Sequence, residues 1–508
     1  MLAMRSKRTA FVVLQMFASG LPLGLVWFAI PDWMRDIGVD IRVVGLITLA
    51  QAPWTFKVLW APLMDRYVPP FLGRRRGWMA LAQVALFAFT LMLAGVGQRP
   101  EAIWVVGALA MAIAVASATQ DVAIDAYAVE VLRKDEQGAA SGARTAAYRL
   151  AMALSGGLTI TIAARIGWPA VNALLAFVYL PMLIITWKSP EPEVPAGSPR
   201  TLQDAVWLPF LSFLKRRQAL EILLFVVLYK FADQLAQALT RPFLIDMGYN
   251  ADHRGIALAT VGAAATIVGA IIGGWLTTLV GLGHSLWIFG FLQLFSNAGY
   301  FFLSRLTEPS LPAMYSATGF ELLTSGMGTG AFMVLLLRLT QKQFSATQYA
   351  LFSSLFALPR ILAGPITGFA VDALGWSTFF LTTMAIGIPG LIMLARFVPF
   401  GVRDPELDID EHGTVSAPLV SPALVSRGVI GGVVVAGLAI VALALLDALS
   451  VMRSTPASGF DVGAAFWRVL HPSGTTDWVQ VFGILAFALV GGLFVAARHS
   501  VRRTAARS

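Results

Sequence analysis

Long apolar segments recur along almost the whole chain, and each is long enough to cross a lipid bilayer as a helix. A membrane-spanning helix needs about 20 predominantly apolar residues, and the sequence contains fourteen such segments, from residues 10–34 to residues 477–497. Only 13% of the residues are charged, about half of the share in soluble proteins. Because the bilayer core contains no water to satisfy a free backbone, the pattern predicts an all-α membrane protein with fourteen spans.

The basic residues predict the orientation of these spans. Lysine and arginine are roughly three times as frequent in the loops and tails of one side as in those of the other, with runs at residues 74–76, 215–217 and 502–503. Both termini are therefore expected in the cytoplasm, which agrees with an even number of spans. The net charge of +9 follows from this topology and indicates a lipid bilayer rather than a nucleic acid as the partner.

Residues with metal-binding or redox chemistry are scarce. The chain has no cysteine, and its five histidines all fall in predicted loops or tails. This distribution argues against a metal site, a cofactor, and a membrane-embedded enzyme that acts on lipid-linked sugars. We therefore expect a protein that is not an enzyme. The sequence does not fix the oligomeric state, and a monomer is expected.

Hydropathy divides the chain into five regions. These are a first six-helix half at 1–188, a cytoplasmic linker with an interfacial helix at 189–218, a second six-helix half at 219–397, a second cytoplasmic linker at 398–425, and two extra transmembrane helices with a basic tail at 426–508. Two parallel six-helix halves are typical of the major facilitator fold. Thr201 and Asp204 form a capping pattern that predicts the start of the interfacial helix.

Acidic side chains inside the spans are candidates for proton coupling or gating. A charged residue at the bilayer centre costs about 2.5–3.5 kcal/mol on insertion scales, so its presence needs a functional or structural reason. Asp121 and Asp125 are four residues apart and share one helical face. The proton-coupling candidates are, in order, Asp125, Asp121, Asp233 and Glu321.

Basic and amide side chains inside the spans are candidates for substrate binding. Arg149, Lys230 and Arg360 are predicted near the midplane and Lys57 nearer the inner surface, which favours an anionic ligand. A structural ion pair between the halves is the alternative, and Lys230 can also be neutralised by Asp233. The candidate amides, which suit a ligand rich in hydroxyl and amide groups or else join helices, are Gln120, Gln234, Gln237 and Asn297.

The loop after the second span, residues 60–78, resembles the signature loop of the major facilitator superfamily. The matching residues are Asp65, Arg66, Gly73, Arg74 and Arg75, although the spacing is stretched and Ala61 stands where glycine is usual. The resemblance implies that this aspartate and a loop arginine pair with an acid at the inner end of the fourth span and close the inner side. That acid is Asp125, Asp121 or Glu130, so gating is the alternative role for the first two.

Longer strings make the chain similar to the AmpG-type muropeptide permeases. They are FASGLPLGL, KVLWAPLMDRYVPPFLGRRRGW, SATQDVAIDAYAVEVL, IFGFLQLFSNAGYFFLS, SGMGTGAF, FSATQYALFSSL and DALGWSTFF. The resemblance implies proton-driven import of anhydro-muropeptides across the bacterial inner membrane, for peptidoglycan recycling and, in some hosts, β-lactamase induction. It also implies two additional C-terminal helices. Part of the third string is shared with acetyl-CoA transporters, so another organic anion such as an acyl-coenzyme A is the alternative substrate.

Overall fold

The computed structural model describes residues 6–39, 48–96, 100–193, 197–216, 219–405, 422–454, 459–473 and 475–505. These residues form helices joined by short turns, and the described part of the chain contains no β-strand. The all-α fold class predicted from the sequence is therefore confirmed.

Twenty-one α-helices follow one another along the described chain. The first ten are α1 Lys7–Gly24, α2 Ile30–Asp36, α3 Ala52–Phe56, α4 Ala61–Arg66, α5 Arg74–Ala94, α6 Ile103–Val131, α7 Gln137–Ala153, α8 Thr159–Ile166, α9 Trp168–Phe177 and α10 Tyr179–Lys188. The next eight are α11 Leu202–Leu214, α12 Ala219–Ala238, α13 Thr240–Asp246, α14 Ala251–Gly255, α15 Gly262–Val280, α16 Leu282–Leu303, α17 Leu311–Leu339 and α18 Ser345–Phe397. The last three are α19 Pro422–Ser454, α20 Val462–Leu470 and α21 Thr475–Ala505.

Ten stretches of the described chain are long and apolar enough to cross a membrane. They include Lys7–Asp36, Gln137–Ile166 and Ala251–Val280, in each of which two α-helices are joined through a short π-helical turn. The predicted total of fourteen spans and the predicted orientation of the termini go beyond this finding and stay predictions.

The apolar core is shared at one end of the bundle and divided at the other. One cluster of buried side chains draws on both halves, from Val12 to Val398, and includes the inner ends of the helices. A second cluster contains only residues of the first half and a third only residues of the second half. The halves are therefore packed together at their inner end, the end that the sequence assigns to the cytoplasm.

Helices α7 and α15 bring the two halves into backbone contact. A Cβ atom on Gly142 would collide with the carbonyl oxygen of Ala270 and lie 2.9 Å from the Cα of Gly274. A Cβ atom on Gly138 would lie 2.9 Å from the carbonyl oxygen of Gly274. Glycine is therefore required on both helices at this crossing, as in the small-residue contacts of other membrane helices.

The interfacial helix α11 lies against the inner end of the bundle. Its capping box is formed as predicted, because the Thr201 hydroxyl accepts from the Asp204 N–H and the Asp204 carboxylate accepts from the Thr201 N–H. The buried amide of Gln348 in α18 donates to the Pro209 carbonyl oxygen at 3.0 Å and to Ser212 Oγ at 3.2 Å. Helix α11 is thus bonded to the second half.

The C-terminal helices contact the rest of the chain mainly through α21. This helix packs against α11, and its Phe487 ring meets the ring of Phe56 in α3 at a centroid distance of 5.9 Å. Helix α19 packs chiefly against α20 and α21. The two appended helices are therefore attached beside the linker and the second predicted span.

Candidate functional site

A buried charge network joins the two halves at the inner end. We call Asp65, Arg75, Glu130, Ser345 and Thr347 the inner gate. Arg75 Nη2 lies 2.7 Å from each of Asp65 Oδ1, Glu130 Oε1 and Ser345 Oγ, and the Arg75 side chain is fully buried. Because Ser345 belongs to α18 of the second half, this network bonds the two halves to one another.

Asp65 caps a helix of the opposite half. Its carboxylate accepts from the Ala346 N–H at 3.2 Å, the Thr347 N–H at 2.8 Å and the Thr347 hydroxyl at 2.7 Å. The residue at the N-cap of α18, Phe344, has no side-chain acceptor for these groups. Free N–H groups and the positive end of the helix dipole favour a carboxylate at this place.

The acid that pairs with the loop arginines is Glu130. Its Oε1 accepts from Arg74 at 2.8 Å and from Ser345 Oγ at 2.6 Å, besides Arg75. Of the three acids considered from the sequence, Asp121 and Asp125 have other partners. Gly73, with φ +85°, gives the turn that leads into α5.

Arg66, which the sequence also assigned to the gating loop, lies outside the gate. Its guanidinium is stacked over the Tyr67 ring at 5.4 Å. Neighbouring residues of a helix point about 100° apart, so Asp65 and Arg66 cannot both face α18. An unpredicted residue takes part instead: the Glu191 carboxylate accepts from the backbone N–H of Arg75 at 2.9 Å and so caps α5.

A second charge cluster lies deeper in the first half. The Asp125 carboxylate is bonded to Arg144 and lies 3.6 Å from Lys57 Nζ. Asp121, one turn away, accepts from the Ser19 hydroxyl. All four ionisable side chains are buried. Lys57 is therefore engaged with Asp125 and is not free for a ligand in this conformation.

A third cluster lies in the second half. Lys230 Nζ is 3.0 Å from Asp233 Oδ2, so this predicted substrate-binding lysine is neutralised by its neighbour on α12. Gln237 Nε2 donates to Glu321 Oε1 at 2.7 Å and to Ser325 Oγ at 3.0 Å. Asn297 is buried, and its amide has no hydrogen-bond partner among the described residues.

Each half therefore contains two kinds of buried acid. Asp125 and Asp233 are paired with cations, which stabilises their ionised form. Asp121 and Glu321 are hydrogen-bonded by a hydroxyl and an amide, and no ion pair joins either of them to a cation among the described residues. The acids of the second kind have less electrostatic support for a negative charge.

Arg149 and Arg360 are the predicted cations that remain available. Both side chains are exposed, and within the described chain no ion pair with a carboxylate involves either of them. The Arg360 guanidinium lies over the Trp27 ring at 4.9 Å, and the charges of Arg149 and Arg360 are close enough to act on one another. A charged group within a membrane-spanning segment is costly in lipid and is usually found facing water or a partner group.

The remaining amide candidates differ in their surroundings. Gln120 is fully buried, and neither its oxygen nor its nitrogen has a partner among the described residues. Gln234 is half-buried. In the described residues, no group of three or more histidine, aspartate or glutamate side chains could hold a metal ion.

Arg144 is the main residue that sequence reasoning missed. It lies in the first half of α7 and is buried between Asp125 of α6 and Tyr349 of α18. No sequence pattern relates these three residues, because 19 and 205 positions separate Arg144 from its partners. The acids spaced i, i+4 on α6 were the available signal that a buried cation was needed nearby.

The comparisons with known proteins agree with this architecture. Residues 12–364 match the model of the Major Facilitator Superfamily. A solved structure of the proton:xylose symporter XylE has a TM-score of 0.61 at 12% identity, covering 77% of this chain and 95% of that one. At this identity the likeness concerns the fold alone.

Sequence relatives define the group more narrowly. The chain is 43% identical over 389 residues to the anhydromuropeptide permease of Escherichia coli strain K12, covering 76% of this chain and 79% of the relative. It is 29% identical over 386 residues to the putative transporter AmpG 4 of Rickettsia conorii, covering 74% and 93%. These relatives are transporters rather than enzymes. The chain is therefore a multi-pass inner-membrane protein of the major facilitator superfamily, and it belongs to the family of AmpG-type permeases.

Proposed function

We propose that this chain imports anhydro-muropeptides across the inner membrane by alternating access, driven by the proton-motive force. The name of the Escherichia coli relative supports the substrate. In this proposal residues 1–188 and 219–397 are the two moving halves, 189–218 and 398–425 are cytoplasmic linkers, and 426–508 holds the last two of fourteen spans. Both termini lie in the cytoplasm, and the closed inner gate corresponds to an outward-facing state.

The observation that carries the substrate proposal is the pair of unneutralised arginines, Arg149 and Arg360. Both are exposed, and the sequence predicts them near the midplane, at corresponding places in the fifth span of each half. Two guanidinium groups without a carboxylate require an anion to offset their charge, and guanidinium groups bind carboxylates bidentately. An anhydro-muropeptide carries peptide carboxylates for these groups and sugar rings for the neighbouring Trp27.

The proton is assigned to the acids that lack a paired cation. Asp121 and Glu321 are buried and receive hydrogen bonds from neutral groups, whereas Asp125 and Asp233 are ion-paired. A carboxylate that must bind and release a proton needs an environment that does not stabilise its charge too strongly. This changes the order expected from the sequence, which placed Asp125 first, and makes Asp121 the leading carrier.

The test is uptake of labelled anhydro-muropeptide into proteoliposomes with and without an inward proton gradient. Arg149→Gln and Arg360→Gln should each raise the half-saturation concentration about 10- to 100-fold, the effect of one charge-assisted contact. Arg241→Gln, which removes an exposed arginine near the predicted outer end of the seventh span, is the matched control. Unchanged half-saturation in both variants would remove the arginines from the substrate site.

Proton coupling is tested separately from binding. Asp121→Asn should abolish accumulation against a gradient while leaving counterflow exchange of substrate intact. If both Asp121→Asn and Glu321→Gln accumulate substrate normally, these acids do not carry the proton. Competition by an acyl-coenzyme A but not by anhydro-muropeptide would move the substrate assignment to another organic anion.

A further inference from the structure

We propose that Arg144 is a positioning residue that makes closure of the inner end depend on the charge of Asp125, with Tyr349 as its partner on the second half. The inference deepens the proposed function and rests on it for the opening and closing of the inner end, but it does not depend on which acid carries the proton. It adds a connection between the deep acids of the first half and the helix that the inner gate holds.

The contacts of Arg144 span the two halves. Its guanidinium is bonded to the Asp125 carboxylate, and the same Nη2 atom lies 3.4 Å from the Tyr349 hydroxyl. The guanidinium carbon is also 5.8 Å from the centre of the Tyr349 ring. Both Arg144 and Tyr349 are almost completely buried, so water does not compete for these contacts.

Tyr349 belongs to the part of α18 that must move when the inner end opens. It follows Ser345 of the inner gate by one helical turn. One further turn on, the Ser354 hydroxyl donates to the Thr55 carbonyl oxygen of the first half at 3.0 Å. Arg144 thus forms a middle layer of contact between the inner gate and the Ser354 bond.

The charge of the Asp125 carboxylate holds the Arg144 side chain in its position. Its carboxylate offsets two cations, Arg144 and Lys57, which approach it from α7 and from the second predicted span. If this carboxylate loses its charge, as in Asp125→Asn, Arg144 and Lys57 keep Asp121 as a neighbouring acid but have no carboxylate within ion-pair distance among the described residues. Coulomb repulsion between two partly buried cations then favours displacement of a long side chain. A displaced Arg144 can no longer hold Tyr349.

A purely structural role predicts something different. Arg144 would then only join α7 to α6 inside the first half, and Tyr349 would be an independent contact. No hydrogen bond or ion pair joins Asp125 directly to Tyr349 in the described chain, so a dependence that is carried by contacts passes through Arg144. Residues without shared partners have additive mutational effects within about twofold.

The experiment measures how often the inner end opens, with a single cysteine as reporter. The chain has no cysteine, and Ala350 is buried near the start of α18. Ala350→Cys therefore gives one reactive site whose maleimide labelling rate from the cytoplasmic side reports opening. Tyr349→Phe should raise this rate about fivefold, the population change produced by one hydrogen bond of ordinary strength.

The double-mutant cycle decides between the two roles. Asp125→Asn should raise labelling at least as much as Tyr349→Phe, and the double variant should label no faster than the larger single variant within about twofold. In an Arg144→Gln background, Tyr349→Phe should have no further effect. A labelling rate in the double variant about 25-fold above that of the parent, the product of two fivefold single effects, would overturn the proposal, because it would mean that the two residues act independently.

Controls separate this result from misfolding and from failure of the proposed function. Tyr127→Phe removes a buried hydroxyl that has no hydrogen-bond partner among the described residues, and it should leave labelling unchanged. If the role of Arg144 is purely structural, Arg144→Gln should lower the melting temperature, and the effects of Asp125→Asn and Tyr349→Phe on the labelling rate should stay independent of one another. Labelling needs no substrate, so the double-mutant cycle can be interpreted whether or not the protein transports muropeptides. Absence of muropeptide uptake would contradict the proposed function alone.

Discussion

The cap that Asp65 provides to α18 should hold the inner end closed. In the proposed alternating access, opening the inner end moves α18 away from the first half, so the three hydrogen bonds from Ala346 and Thr347 to Asp65 would be made only in the closed state. The bonds of Arg75 and Arg74 to Glu130 lie within the first half and survive opening. Asp65→Ala is therefore a perturbation of the equilibrium between the states.

The size of the effect follows from these contacts. Each hydrogen bond contributes about 1 kcal/mol net of its replacement by water, and a carboxylate at a helix N-terminus adds up to about 1 kcal/mol. The loss is then about 3–4 kcal/mol, a shift of about 100- to 1,000-fold toward the open state. Asp65→Asn keeps acceptor atoms without the charge and should shift the equilibrium about tenfold.

The Ala350→Cys labelling rate in inside-out vesicles measures this shift. The matched control is Asp461→Ala, which also removes an aspartate cap, here of α20 through the Ala464 N–H at 2.9 Å, far along the chain from the gate. The control should label like its parent. A labelling rate for Asp65→Ala within twofold of the parent would refute the reasoning, because the cap would then contribute equally to both states.

Three further perturbations test other contacts. Gly142→Leu should force α7 and α15 apart and destabilise the protein by about 1–3 kcal/mol, seen as a lower melting temperature, whereas Gly157→Leu meets open space and should be tolerated. Gln348→Ala should lower the melting temperature through loss of its bonds to α11, and an unchanged value would mean that α11 is held by apolar contacts alone. Burial acts to raise the pKa of Asp404, but hydrogen bonds from Arg338 and the Leu282 N–H outweigh it and hold this pKa below its usual range. The resulting stabilisation, less than about 1 kcal/mol for this partly exposed pair, is present above the ordinary pKa and lost as the pH falls through the lowered one. The difference in melting temperature between Asp404→Asn and its parent should therefore be largest at neutral pH and should shrink as the pH falls below the ordinary pKa of the carboxyl group.

Local patterns predicted much of the fold, because they depend on neighbours in the chain. The capping box at Thr201 and Asp204 needs only residues three positions apart, and it is formed. The boundary between the eleventh and twelfth predicted spans coincides with Gly375, whose φ of +71° breaks the long helix α18. The apolar segments themselves give ten of the spans directly.

Contacts between segments that are distant in the sequence could not be predicted from such local patterns. The loop signature predicted that Asp65 and a loop arginine lie near an acid of the fourth span, but only the packing of α5 on α6 selects Glu130 as the partner of Arg75. Arg360 rests on Trp27 because the halves approach one another, and nothing local to either residue encodes that contact. The same holds for Arg144, whose guanidinium contacts groups from two other helices.

The glycine crossing of α7 and α15 has a consequence for rates. Side chains that interdigitate across an interface must leave their holes before two bodies can rotate, which adds an activation barrier. At Gly142 and Gly274 backbone lies directly on backbone, so a rotation of the halves about this point would require no change of rotamer there. In the proposed alternating access, these close contacts would therefore add little to the activation barrier, and the rate would depend on the breaking of the charged contacts around them.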